Sequence, residues 1–165
     1  MSTNKKTRNL VRAAVIAALY VVLTYLSAVL GVSGQGLVQL RLSEALCILP
    51  YFTPAALPGL TLGCLLSNLL TGAHVLDIIF GTLATLLGAL GTRALRRYRF
   101  LTPLPPILAN TLIVPFVIRY AYLSTDVALP LLFLTVGVGE ILSVGVLGVV
   151  LLLCLEKRRK ILFGE

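Results

Sequence analysis

The chain carries no charged residue from Ala13 to Leu40, and none again from Ala45 to Ala73. Runs of this length fix the solvent before anything else is known, because about 20 apolar residues cross the hydrocarbon of a bilayer as a helix. The whole composition agrees. Only 12% of the residues are charged and the mean hydropathy is +1.01, whereas soluble domains carry about 25% charged residues. The chain is therefore predicted to be an all-α membrane protein, a single transmembrane domain over 1–165 with short basic tails at about 1–9 and 156–165. A net charge of +8 would point to nucleic acid in a soluble protein. Here the basic residues sit at segment ends, where membrane orientation explains them and no nucleic-acid partner is implied.

The spans can be counted by charge. Lys5, Lys6, Arg8 and Arg12 precede the first apolar run, which is too long for a signal-peptide core of about 7–15 residues and is expected to stay as a helix. Gly31, Ser33, Gly34 and Gly36 mark its end. As one helix the 29 residues of Ala45–Ala73 would extend about 43 Å, beyond a core of about 30 Å. Pro50, Pro54 and Pro58 also interrupt this run. A hairpin is predicted instead: a short helix near Leu42–Phe52, a turn at Thr53–Pro54, and a helix near Ala55–Thr71. Charge bias supports it. A span from Ile78 to about Leu95 ends in Arg93, Arg96, Arg97 and Arg99, and only the hairpin puts that cluster on the side of the basic N-terminus. Further spans over about Leu104–Ile118 and Leu129–Leu155 complete a six-transmembrane-helix bundle with both termini cytoplasmic, expected in the cell membrane. Twelve of the 14 Lys and Arg then lie inside, with Arg41 and Arg119 outside.

Charges and amides stranded among apolar helices are expensive, so they mark candidate sites. Glu140 falls near the centre of the last span, either as a binding carboxylate or as a protonated acid bonded to a neighbouring helix. Asp77 opens the fourth helix, as a first-turn acid favoured by the helix dipole or as the head of a polar stripe with Thr85. Arg41 and Glu44, three apart, either pair with each other or line an outer cavity, with Cys47 and Tyr51 on the face that Glu44 begins. Asn68 and Asn110 suit interhelical hydrogen bonds or ligand contacts. His74 reads as a loop residue. Cys47, Cys64 and Cys154 are single thiols without pair or metal spacing. On the first helix Ala13 and Ala17, and Ala14 and Ala18, are small residues four apart, suited to close helix approach within the bundle or to a partner. The chain has no phosphate-binding Gly-Lys-Ser/Thr loop, no His-Glu-x-x-His and no nucleophile elbow, so no enzyme activity, metal or cofactor is expected.

The run Val38-Gln39-Leu40-Arg41-Leu42-Ser43-Glu44-Ala45-Leu46 is followed by Leu49-Pro50-Tyr51-Phe52-Thr53-Pro54-Ala55-Ala56, Pro58-Gly59-Leu60 and Gly63-Cys64. With Asp77-Ile78-Ile79-Phe80-Gly81-Thr82-Leu83-Ala84-Thr85 it resembles the QueT family of queuosine-precursor transporters. The resemblance implies a membrane substrate-binding subunit, the S-component of an energy-coupling factor (ECF) importer. Such a subunit captures a 7-deazaguanine such as preQ0, preQ1 or queuine, and a partner module of one transmembrane scaffold and two ATPases supplies the energy. It also implies that the small-residue face of the first helix, Ala13, Ala14, Ala17 and Ala18, docks on the scaffold. The residues suit such a ligand. A carboxylate accepts the adjacent N–H groups of a deazaguanine edge, and an Arg or amide donates to its carbonyl. Arg41, Glu44, Asn68, Asp77, Asn110 and Glu140 are the candidate substrate-binding residues, and which acid reads the base edge stays open. The competing reading is a stand-alone ion-coupled transporter with Glu140 as its proton site.

Overall fold

A computed structural model describes residues 2–31, 40–122 and 128–163. Val38 and Gln39 of the motif, the loop residues Ser33, Gly34 and Gly36, and Asp126 lie outside these. Among the described residues the chain is helical throughout. The helices are α1 (Ser2–Val29), α2 (Leu42–Tyr51), α3 (Ala56–Leu70), α4 (Asp77–Gly81 continuing through Thr82–Ala94), α5 (Leu104–Ala121), α6 (Leu129–Glu140, Ile141–Gly148 and Val149–Glu156 in succession) and a short α7 (Arg159–Phe163). Three helical stretches, Asn4–Val29, Arg99–Ala121 and Leu129–Glu156, are long and apolar enough to cross a membrane, while α2 and α3 are shorter apolar helices. The predicted hairpin is present, and its boundaries fall within a residue of those expected. The first helix starts at Ser2, so the basic segment ahead of Ala13 is itself helical.

The exposure pattern is inverted relative to a soluble protein. Leu10, Val22, Leu62, Leu112, Leu134 and Val150 lie exposed on the outer faces, while Glu44, Thr85, Asn110, Glu140 and Ser143 are buried. Apolar surface costs nothing against lipid, whereas an unpaired polar group there costs several kcal/mol, roughly.

At the centre stands α2. It packs on α1, α3, α4 and α6, with α5 closing the side between α4 and α6, and every residue from Ser43 to Pro50 is buried. It is a 3-10 helix of ten residues, although such runs rarely exceed three or four. Two physical circumstances sustain it. The Pro50 ring crowds the carbonyl four residues back in an α-helix, which weakens the α-helical alternative, and serines on other helices satisfy the backbone at the start of α2. The Leu42 N–H donates to Ser27 Oγ at 3.0 Å and the Arg41 N–H donates to Ser143 Oγ at 3.2 Å. A 3-10 helix rises about 2.0 Å per residue, so ten residues cover about 20 Å, well beyond what an α-helix of equal length would reach. Three residues per turn also align Arg41, Glu44 and Cys47. Tyr51, expected on that face from α-helical spacing, instead donates from its hydroxyl to Glu156 Oε1 at 3.3 Å at the other end of the bundle.

Helix α1 meets α3 at very close range. A Cβ added at Gly59 would lie 2.8 Å from the Ala13 carbonyl oxygen, and one at Gly63 would lie 2.7 Å from Tyr20 Cβ and 3.1 Å from Ala17 Cα. The two alanine pairs therefore part company. Ala13 and Ala17 are buried against α3, whereas Ala14 and Ala18 are exposed on the far side of α1. Of the four alanines, Ala13 and Ala17 thus pack inside the bundle and Ala14 and Ala18 remain on its outer surface.

Basic residues converge at one end of the bundle. Arg12 Nη2 donates to the Leu162 carbonyl (2.9 Å), Arg93 Nη1 to the Pro50 carbonyl (3.2 Å) and Arg99 Nη1 to Glu156 Oε2 (3.1 Å). Arg41 belongs to the opposite end, beside Asp77 and Tyr122. Replacing Gly63 with Ala should lower stability by about 1–3 kcal/mol through overpacking, read as a fall in the midpoint of thermal unfolding in detergent. Gly145→Ala, whose added Cβ would sit an ordinary 3.6 Å from Ile107 Cδ1, should leave that midpoint unchanged or raised.

Candidate functional site

Tyr20, Thr24 and Ser27 are spaced four and three apart on α1, which stacks them on one face of an otherwise apolar helix. That face looks across to the start of α2, the end of α3 and the start of α4. Between them lies a cavity of about 260 Å³, lined by Tyr20, Thr24, Ser27, Arg41, Ser43, Ser67, Asn68, Thr71, Asp77 and Tyr122 together with Ala28, Gly72 and Ala73. Most of these residues carry a hydroxyl, an amide or a charge, and the cavity is placed at the end of the bundle remote from the basic cluster.

Each side of the cavity is held by a specific contact. Asp77 begins α4 in a π-helical turn, Asp77–Gly81, and the Tyr122 hydroxyl donates to its Oδ2 at 2.6 Å. That bond ties the start of α4 to the end of α5. Burial and the hydrogen bond to Asp77 push the Tyr122 phenol above its ordinary pKa, which keeps it a donor. Asn68 donates from Nδ2 to the Asp77 carbonyl at 3.2 Å, tying α3 to the same turn. His74 stays in the loop, exposed, with Nδ1 accepting the Leu76 N–H at 3.2 Å, and serves as a loop residue as expected. A second π segment, Ile141–Gly148, starts directly after Glu140. Such segments recur at functional sites because they re-aim side chains inside a helix.

Below the cavity is a buried polar cluster around Glu44. Its Oε1 accepts from the Tyr20 hydroxyl at 2.5 Å, and its Oε2 accepts from Cys47 Sγ at 3.0 Å and from Asn110 Nδ2 at 3.3 Å. Four helices, α1, α2, α5 and α6, meet here, since Glu140 of α6 faces Glu44 and Asn110. Glu140 Oε2 is buried and accepts no hydrogen bond. Among the described residues no ion pair joins Arg41 to Glu44. At the other end Arg99 pairs with Glu156 at 3.1 Å.

The six candidate residues thus divide into two layers. Arg41, Asn68 and Asp77 line the cavity, while Glu44, Asn110 and Glu140 form the layer beneath it. Tyr20 belongs to both, with its ring in the cavity wall and its hydroxyl on Glu44. Tyr20, Thr24, Ser27, Ser67 and Tyr122 carry no charge and did not stand out in the sequence. The spacing of the first three on one face of α1 was the available signal.

The profile of the QueT transporter family, described as QueT transporter, matches residues 10–157. The chain is also similar to a protein of Lactococcus lactis subsp. cremoris (strain MG1363) named queuosine precursor transporter QueT. The two are 40% identical over 81 residues, which cover 49% of this chain and 47% of that relative. The match therefore spans about half the length of the relative. No solved structure matches significantly.

Tyr20→Phe keeps the ring but removes a donor from a buried carboxylate, and should cost about 1–3 kcal/mol of stability. Tyr25→Phe, which loses a bond from an exposed hydroxyl to the Leu70 carbonyl, should cost less than Tyr20→Phe does. Parallel denaturant titrations of the two variants in the same detergent check this order.

Proposed function

The chain belongs to the QueT transporter family, and we propose that it captures a queuosine precursor, a 7-deazaguanine, in the cavity between α1, α3 and α4. The observation that carries this reading is the convergence of Arg41, Asn68 and Asp77 on one small polar cavity. Of the three candidate acids only Asp77 lines that cavity, so Asp77 is assigned the base edge. Two adjacent N–H donors of a guanine-like edge suit one carboxylate, and Tyr122 fixes its orientation through Oδ2. The Arg41 guanidinium donates to the ring carbonyl, and the Tyr20 and Tyr122 rings offer flat apolar surface to the base. Glu44, Asn110 and Glu140 act from below by holding Tyr20 and the start of α2 in place.

The chain contains no ATP-binding motif, which supports the role of an S-component in the cell membrane whose uptake is driven by an ECF module of one scaffold subunit and two ATPases. The exposed pair Ala14 and Ala18 on α1 is assigned to scaffold docking. Ala13 and Ala17 contribute indirectly, by setting how α1 leans on α3.

Calorimetry in detergent without ATP tests the binding step. The protein should bind preQ0 or preQ1, and Asp77→Asn should weaken that binding at least tenfold, about the worth of one lost charge-assisted hydrogen bond. No binding of preQ0, preQ1 or queuine would refute the reading, and proton-driven uptake by liposomes holding this chain alone would replace it with the ion-coupled alternative. For docking, Ala14→Phe or Ala18→Phe should abolish co-purification with the ECF module while ligand affinity stays within about twofold. Loss of ligand binding in the same variants would place that face inside the binding unit.

A further inference from the structure

At the end of the bundle away from the cavity, the chain turns a corner between α6 and α7. The corner borders an open surface hollow lined by residues from Glu156 to Ile161. Its one acid is neutralised locally, because Glu156 accepts from Tyr51 on Oε1 and from Arg99 on Oε2. Arg159 is drawn over the Tyr51 ring, 5.9 Å from its centroid, and Arg12 pins α7 to α1 through the Leu162 carbonyl. The corner is therefore built by contacts from four parts of the chain, and Lys157, Arg158 and Lys160 stand exposed around it.

The surroundings of these cations are apolar. Ile161 is 81% exposed and Leu162 next to it is exposed, as are Phe100 and Leu101, which follow the Arg99 that pairs with Glu156. Val146, Val150, Leu153 and Lys157 follow at spacings of four, three and four along α6, so they form one stripe on the helix surface that ends in a cation. The three apolar members are exposed. A soluble anion would have no use for that stripe. A phospholipid would, since its acyl chain lies along the stripe and its phosphate reaches the cations at the top.

We propose that the α6–α7 corner is a binding seat for an anionic phospholipid, with the headgroup phosphate held by Lys157, Arg158 and Lys160 and one acyl chain along Val146, Val150 and Leu153. The seat is separate from the ligand cavity and does not depend on what that cavity binds. It anchors the corner, and with it the Glu156–Tyr51 contact that holds the lower end of the central helix, at a fixed depth in the membrane.

The test uses the full chain in mixed micelles with equal phosphatidylglycerol and phosphatidylcholine, followed by purification and quantitation of retained lipid. Phosphatidylglycerol should be retained in clear excess, and Arg158→Ala should lower that excess about fivefold, the worth of one basic residue at an anionic surface. Lys157→Ala combined with Lys160→Ala should lower it further. Lys5→Ala with Lys6→Ala, which removes two charges from the same end, should leave it unchanged. Equal retention of the two lipids overturns the proposal, as does a loss of equal size in the Lys5/Lys6 variant, which would mean diffuse attraction to charge. Displacement of the lipid by millimolar inorganic phosphate overturns it as well, because the corner would then be a site for a free anion.

Discussion

A carboxylate in the middle of an apolar bundle is the constraint on which the rest of this structure depends. Glu44 cannot face lipid and cannot reach water, so it must be surrounded by donors, and three supply it from three helices: Tyr20, Cys47 and Asn110. Two of these bonds each fix a helix. Tyr20 sets the rotation of α1 and Asn110 that of α5, while Cys47, one turn further along α2, adds a donor from the same helix. Hydrogen bonds to charged groups are worth about 1.5–3 kcal/mol, and an unsatisfied buried charge costs more still. The cluster thus specifies one arrangement of the helices where apolar contacts alone would tolerate several.

The small residues serve the same arrangement. Gly59 and Gly63 let α1 come close enough for Tyr20 to reach Glu44, and Gly88 and Gly91 let α4 close on Pro106 and Pro105 of α5. Between lipid-facing helices there is no hydrophobic driving force, so close van der Waals contact and buried hydrogen bonds carry the association. Polar side chains at one end of this tightly drawn bundle then leave a cavity where the helices diverge. The opposite end is closed by Arg93, Arg99 and Glu156.

Part of the site was legible from residue types. Arg41, Glu44, Asn68, Asp77, Asn110 and Glu140 stand out against apolar neighbours, and all six take part in the two polar layers. Their division into a cavity wall and a supporting layer was not legible, because it depends on the 3-10 pitch of α2 and on where α6 places Glu140. Tyr20 and Tyr122 escaped notice because a tyrosine in a membrane helix carries no charge penalty to draw attention to it. The alanine pairs show the same limit, since spacing reveals that a face is small but not what covers it. For Ala13 and Ala17 the cover is α3.

The sequence by itself determined the solvent, the helical class, the hairpin and the gathering of basic residues at one end. These follow from run length, proline positions and charge placement, which are local properties read against the thickness of a bilayer. Only the tertiary structure decided which polar residues meet, which alanines remain outside and how far the short central helix reaches. Those outcomes turn on the approach distance of α1 to α3 and on serines of α1 and α6 satisfying the backbone of α2. They are contacts between residues up to about a hundred positions apart, and no local pattern encodes them.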